Sequence, residues 1–441
     1  MLNIGLAKEI MTPPFGACLA GYFNLRPARG VLDDICVRAI IMEKDGKWSG
    51  ILSFDLCYLV ESAFMQLRQE LKAAGIAFAD DIMLAATHTH TGTDMKLFDV
   101  VDGVPCAQGF SMVIKAAVRA AKRAIDSMAP AQFLYAECDG NPYGYVRRYF
   151  MKNGAVVTNP SRCNPDIVKP ETDYDEHIRV LAVKQYGRIS ALLVNLANHC
   201  DTVGGDMVCA DWPGRMEAAL QYALTEDIPV FTLTDASGNI NHFDVSRKID
   251  QTNYAEAVRI GRGYAAIVSK LLPKLEPVDE GAIEVSHATF MMPHRVITEE
   301  EYAAAKKYLE DTKDAPVTEG DLTSEGLANG DVTVLRYFAN RVINCHDKST
   351  PAELCRLTRI SLGKALAFVS LPGEPFNGIA QAIRKASPYG KTIVVELAES
   401  RGAYVPMREC FARGGYEVQP DVNTVAPEAS DVLIQAAIDN L

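Results

Sequence analysis

The sequence contains no apolar run near the roughly eighteen uncharged residues that a membrane-spanning helix needs. Its opening stretch, MLNIGLAKEIMTPPFGACLAGY, lacks the basic segment and unbroken apolar core of a secretion signal, so a cytoplasmic protein with no membrane insertion is expected. Basic clusters are missing too. Nothing exceeds pairs such as Arg147-Arg148 and Lys306-Lys307, and the formal net charge is −12. A nucleic-acid partner would need a basic stripe to displace phosphate counterions, which excludes that class. The eleven cysteines (18, 36, 57, 106, 138, 163, 200, 209, 345, 355 and 410) are odd in number and include no CxxC pair. That pattern argues against a disulfide framework and a thiolate zinc site, and for a reducing compartment. No Pro/Gly-rich linker, internal repeat or low-complexity segment divides the chain, so residues 1–441 are expected to form a single domain with ample apolar content for a large core.

What is present is an alternation of strand-like apolar runs with amphipathic helical stretches, the pattern of an α/β domain with a mixed β-sheet core flanked by helices. Strands are expected at 49–60, 81–88, 178–185, 190–199, 229–236, 365–376 and 391–400. Helices are expected at 61–76, 111–128, 254–272 and 377–387, and one more at DWPGRMEAALQYAL with Asp211 as its cap and Pro213 in its first turn. Residues 290–350 are more charged and less apolar, and read as an insertion or lid carrying one clear helix. There Thr298 and Glu301 form a capping box ahead of YAAAKKYL.

Chemistry gathers where apolar runs end. AATHTHTG carries His88 and His90 two positions apart, which puts both imidazoles on one face if the chain stays extended. His199 ends LLVNLANH, Glu374 follows a Pro-Gly turn in FVSLPGEPF, and Tyr404 lies beyond ELAES. Strand ends of open α/β sheets are where ligands bind. Two histidines and a carboxylate form a common ligand set for catalytic zinc. Taken singly, each residue is equally at home as a satisfied core histidine, an exposed loop acid or a packed tyrosine.

The ordered set of motifs resembles the neutral, non-lysosomal ceramidases and their shorter bacterial relatives, a family of zinc-dependent amide hydrolases. The pieces run through the chain: GLAKEIMTPPFGACLAGY, LDDICVRAIIME, SFDL, ATHTHTG, GYVRRYFMKNGAVVTNPSRCNP, NHCDTVGGDMVCADWPG, TDASGNINHFD, LPGEPF and GAYVPMRECFARGGYE. By position, the resemblance implies that His88, His199, Glu374 and Tyr404 hold Zn2+, that His90 faces the oxyanion, and that Arg147 contacts the substrate or its developing charge. Tyr404 could instead donate a hydrogen bond to the intermediate. The family's glycine-led loop carries an aspartate and a serine where this chain reads Gly238, Asn239, Ile240 and Asn241, so the resemblance implies metal-activated water rather than serine as nucleophile. About 25 residues follow GGYE, too few for the family's carboxyl-terminal immunoglobulin-like module.

The expected function is therefore zinc-dependent cleavage of an amide (N-acyl) bond in a small soluble substrate. The same metal site could serve a lactonase, an esterase or a sugar-acid isomerase, and a non-catalytic binding protein is the third class. Asp211 could orient a histidine ligand or only cap its helix, and His242 could line the cleft or be an ordinary loop residue.

Overall fold

A computed structural model of the protein describes residues 1–22, 26–95, 107–316, 322, 324–347, 350–399, 403–420 and 422–441. Cys106 and part of the 290–350 region lie outside the described residues. Strands β1 (Asn3–Ile10), β2 (Cys36–Lys44) and β3 (Lys47–Phe54) pair in that order, each antiparallel to the one before. Helix α1 (Glu61–Ala73) then crosses to β4 (Ile82–Ala86), which lies parallel to β3. Helix α2 (Ala107–Asp126) follows, and a two-residue strand at Ala129–Pro130 returns to the edge of β1.

The same order then recurs. Strands β5 (Gln132–Cys138), β6 (Ile178–Gln185) and β7 (Arg188–Leu196) are antiparallel, and helix α3 (Asp211–Leu224) crosses to the parallel β8 (Val230–Thr234). Helix α4 (Tyr254–Leu271) leads to Glu276–Pro277, which pairs with the edge of β5. A third sheet begins with β9 (Ile283–Pro293), followed by helices α5 (Glu299–Asp311) and α6 (Val332–Asp347). Strands β10 (Ala352–Leu362) and β11 (Leu366–Ser370) continue it antiparallel, and α7 (Asn377–Ala386) crosses to the parallel β12 (Lys391–Val395). Helix α8 (Ala429–Asp439) closes the chain, and Asn440 beyond it accepts a hydrogen bond from Ser286 of β9. The mixed-sheet α/β class is as expected. The chain nonetheless repeats its topology three times, where its sequence shows no repeat.

The reason for this arrangement lies in the two-sided burial of the strands. β4, β8 and β11 are buried at every position, as strands covered on both faces must be. The inner faces of all three sheets share one core, with Ile4, Ile40 and Met83 from the first, Phe133, Leu193 and Phe231 from the second, and Ile360, Phe368 and Ile393 from the third. Outer faces lie under helices: Leu52 and Leu84 pack with Phe64, Leu67 and Val113, and Leu192 packs with Trp212 and Ile260.

The three sheets interlock where their fourth strands end. Ala86 donates its amide to the Leu397 carbonyl at 3.1 Å, Glu396 donates to Thr234 at 2.9 Å, and the Thr234 hydroxyl reaches the Thr87 carbonyl at 3.3 Å. Residues beyond the ladders are consequently still buried. This explains why apolar runs overshoot: the ladders stop at Phe54, Ala86, Leu196, Ser370 and Val395, short of the expected ends at 60, 88, 199, 376 and 400.

Within the 290–350 region the first residues belong to β9, and the described residues beyond them include α5, a short helix at Ser324–Asn329, and α6. The Thr298–Glu301 capping box is present. Together α5 and α6 face residues 411–420 and 426–428 across a groove of about 960 Å³ lined by Tyr308, Phe338, Phe411 and Val418.

Candidate metal centre

At this junction His88 stands just past β4, His199 just past β7 and Glu374 just past β11. His88 Nε2 lies 3.4 Å and His199 Nε2 3.3 Å from Glu374 Oε2. One donor atom from each of the three falls within 4.8 Å of the others. Tetrahedral bonds of about 2.0–2.3 Å place neighbouring donors roughly 3.3–3.7 Å apart, so the spacing suits a small cation.

Each imidazole is held by its other nitrogen. His88 Nδ1 donates to the Cys57 carbonyl at 2.8 Å and His199 Nδ1 to the Ile240 carbonyl at 2.8 Å. A carbonyl can only accept, so each ring carries a proton on Nδ1 and turns its Nε2 inward. Glu374 Oε2 is buried without a hydrogen-bond partner. A buried carboxylate oxygen left in that state is unfavourable until a cation shares it, and the residues present therefore fit a divalent ion.

His90 also reaches the cluster, with Nε2 3.3 Å from His88 Nε2, but not by strand alternation. The ladder has ended, and His88 adopts a left-handed backbone with φ of 77°. This turn, rather than an extended chain, brings the two rings together. The other face of His90 lies 3.3 Å from Asp201, whose carboxylate accepts from the Tyr22 hydroxyl at 2.5 Å. The Arg26 guanidinium donates to the His90 carbonyl at 2.6 Å and stacks 4.1 Å over the Tyr22 ring.

Arg147 approaches from the opposite side. One of its terminal nitrogens is 3.3 Å from His199 Nε2, its Nε is 2.8 Å from Glu417, and its guanidinium lies 4.9 Å over the Tyr404 ring. Tyr404 pairs directly with Glu374 in a small parallel ladder and meets Tyr416 edge-on at 6.2 Å.

Burial, then Arg147, hold His199 down at about 4, so its ring is neutral near pH 7. Burial and the charge of His88 likewise keep His90 well below its usual range. Burial alone would raise Glu374, yet His88 and His199 hold it well below. For His88 burial is outweighed by Cys57 and Glu374, which hold it well above. Tyr404 is raised well above the ordinary phenol range by burial, against the pull of Arg147.

Over its whole length, 100% covered, the chain superposes on the neutral ceramidase from Pseudomonas aeruginosa with a TM-score of 0.73 at 16% identity, matching 74% of that chain. The chain has the neutral-ceramidase fold. A second solved structure, a ceramidase complexed with C2, gives a TM-score of 0.72 at 18% identity with the same coverages. No protein-family model and no curated protein matches the sequence.

Within this ceramidase fold, the loop that departs from the family pattern supports the donors. A Cβ on Gly238 would fall 2.2 Å from the Glu374 carbonyl oxygen, so only glycine lets the two backbones meet. Two residues on, Ile240 supplies the carbonyl that orients His199.

Two further residues singled out by sequence are not among the donors. Asp211 does not cap α3 in the expected way: the helix begins at Asp211 with Ala210 in the capping position and no side-chain cap. Its carboxylate accepts from the amides of Thr202 and Val203, at 2.9 and 3.0 Å, and from Trp212 at 2.6 Å, touching no histidine ring. It thereby fixes the loop just after His199, whose carbonyl accepts from the Trp212 indole at 2.9 Å. His242 is buried, donating to the Gln251 carbonyl at 2.9 Å, and feels the charges of Asp201 and His199 without joining the donors.

Sequence reasoning missed Cys57, Tyr22, Asp201, Tyr416 and Glu417. Asp201 and Glu417 belong to the motifs NHCDT and GGYE, Asp201 two residues from His199. Only the folded geometry assigns them partners.

Proposed function

We propose that this chain is a zinc-dependent hydrolase that cleaves an amide (N-acyl) bond of a small molecule. The observation that carries this reading is the convergence of two inward-facing imidazoles on an otherwise unpartnered buried carboxylate, beside an arginine, in a chain with the ceramidase fold. His88, His199 and Glu374 would hold the ion, with Tyr404 adjoining. When bound, the ion would polarise the acyl carbonyl and lower the pKa of water toward neutrality.

The chain's own groups supply the rest. Arg147 carries a permanent charge and is buried, so its N–H groups meet a developing oxyanion with little competition from water. His90 is neutral as it stands. Its Nε2, 3.3 Å from His88 Nε2, can accept a proton and then present it to the carbonyl oxygen or the departing nitrogen. The Tyr404 phenol, kept protonated by burial, can donate a hydrogen bond to the same charge.

Elemental analysis of wild type and the His88→Ala variant, combined with a panel of N-acyl amides, esters and lactones, tests this. About one zinc per wild-type chain, none in the variant, and turnover of amides with loss on chelation are expected. A chain that stays metal-free after reconstitution, or one that turns over lactones and no amide, would overturn it.

A further inference from the structure

The third strands of three like sheets each deliver one metal-binding side chain to their meeting point. His199 follows β7 and Glu374 follows β11. From the first sheet the corresponding residue is Cys57, just past β3. It is buried, its Sγ is 3.7 Å from His88 Nδ1, and its carbonyl orients that ring. Cys57, His88 and His90 each offer a donor atom within 4.8 Å of the others. The Nε2 atoms of His88 and His90, 3.3 Å apart, satisfy each other only when a proton or a cation lies between them. His88 belongs to both triads, and the two differ in chemistry. Thiolate and imidazole select soft cations, whereas carboxylate favours harder ones.

We propose that Cys57, His88 and His90 form a second cation position, overlapping the first through His88, that takes a thiophilic divalent ion such as Cd2+. The inference rests on the metal-centre reading above. Both positions draw on the one His88 ring, so they are filled in alternation and a soft ion competes with zinc. On binding, the Cys57 thiol loses its proton to solvent and the resulting thiolate makes the bond to the ion. The absence of a CxxC pair conceals such a site in the sequence, because the partners of the sulfur are histidines.

The test uses the full chain stripped of metal and titrated with Cd2+, with Zn2+ in parallel, for wild type and Cys57→Ser. The expected result is an ultraviolet thiolate-to-cadmium band that saturates at one ion per chain and vanishes in the variant; this difference removes the contribution of the other cysteines. Cd2+ affinity should fall about tenfold or more in the variant, with Zn2+ affinity changing less than about threefold. Cadmium-113 NMR of the wild type needs no variant, and its shift should report one sulfur ligand. If the ion binds at one equivalent with no Cys57-dependent band and a nitrogen- and oxygen-only shift, this inference fails and the metal-centre reading stands. If neither ion binds, both fail.

Discussion

At the scale of single residues, the centre depends on side chains whose other ends are already committed. Arg147 is held by Glu417 at 2.8 Å, and Glu417 in turn accepts from Arg148 at 2.6 Å, so the guanidinium faces the donors without freedom to swing away. Arg147→Ala is expected to reduce the catalytic rate by roughly 100- to 1,000-fold, about 3–4 kcal/mol of barrier, while metal content stays at wild-type level. Loss of the metal together with the rate would instead make Arg147 a structural support of His199. Gly238→Ala drives a methyl group into the backbone of Glu374, where no side chain can move aside. Overpacking of that kind costs about 1–3 kcal/mol, and the variant should remain folded by circular dichroism yet bind zinc at least about tenfold more weakly. Unchanged zinc affinity would show that Glu374 tolerates the displacement.

At the scale of elements, strand identities and the meeting of their ends were legible because buried strands are dense in apolar residues. His88, His199 and Glu374 could be marked as candidates because each interrupts such a run with a polar group. Strand limits were not legible. Residues such as Leu56 and Leu397 are buried by the junction of sheets rather than by a ladder, and apolarity does not record which neighbour supplies the burial. The turn at His88 escaped for a related reason: a positive φ at a histidine has no signature in composition. The Asp211 carboxylate, buried and raised to about 6 by that burial, ties the loop after β7 to the start of α3. Asp211→Ala leaves the amides of Thr202 and Val203 without acceptors. A loss of about 2 kcal/mol or more is expected from urea unfolding midpoints, since buried unsatisfied donors cost about 1–3 kcal/mol each. An unchanged midpoint would mean that the loop finds water in its place.

At the scale of the whole molecule, buried ion pairs join one sheet to the next. Glu217 of α3 reaches Lys8 of β1 at 2.8 Å and Arg38 of β2 at 2.6 Å, and Arg38 also holds Asp55, just past β3, at 2.9 Å. Burial would raise Glu217, but Arg38 and Lys8 bring it to about 2, below the ordinary value of 4.5. A depressed folded-state value means the stabilisation is complete above pH 4.5 and is lost as pH falls toward 2. Asp175, lowered to about 2 by Arg179 and Arg384 against burial, acts in the same direction where the second and third sheets meet. The difference in unfolding free energy between wild type and Glu217→Gln should therefore be constant above about pH 5 and shrink steadily in more acid solution. A difference that does not depend on pH would exclude the charge of Glu217 as the source.

The threefold recurrence of one topology around a shared junction has a further consequence. No single sheet owns the centre; each brings its portion only when it docks against the other two in the correct register. A slip of one residue in any of them would carry its donor to the wrong side of the strand and leave nothing for the rest to complete. In such a molecule the centre exists only once all three sheets have assembled in alignment.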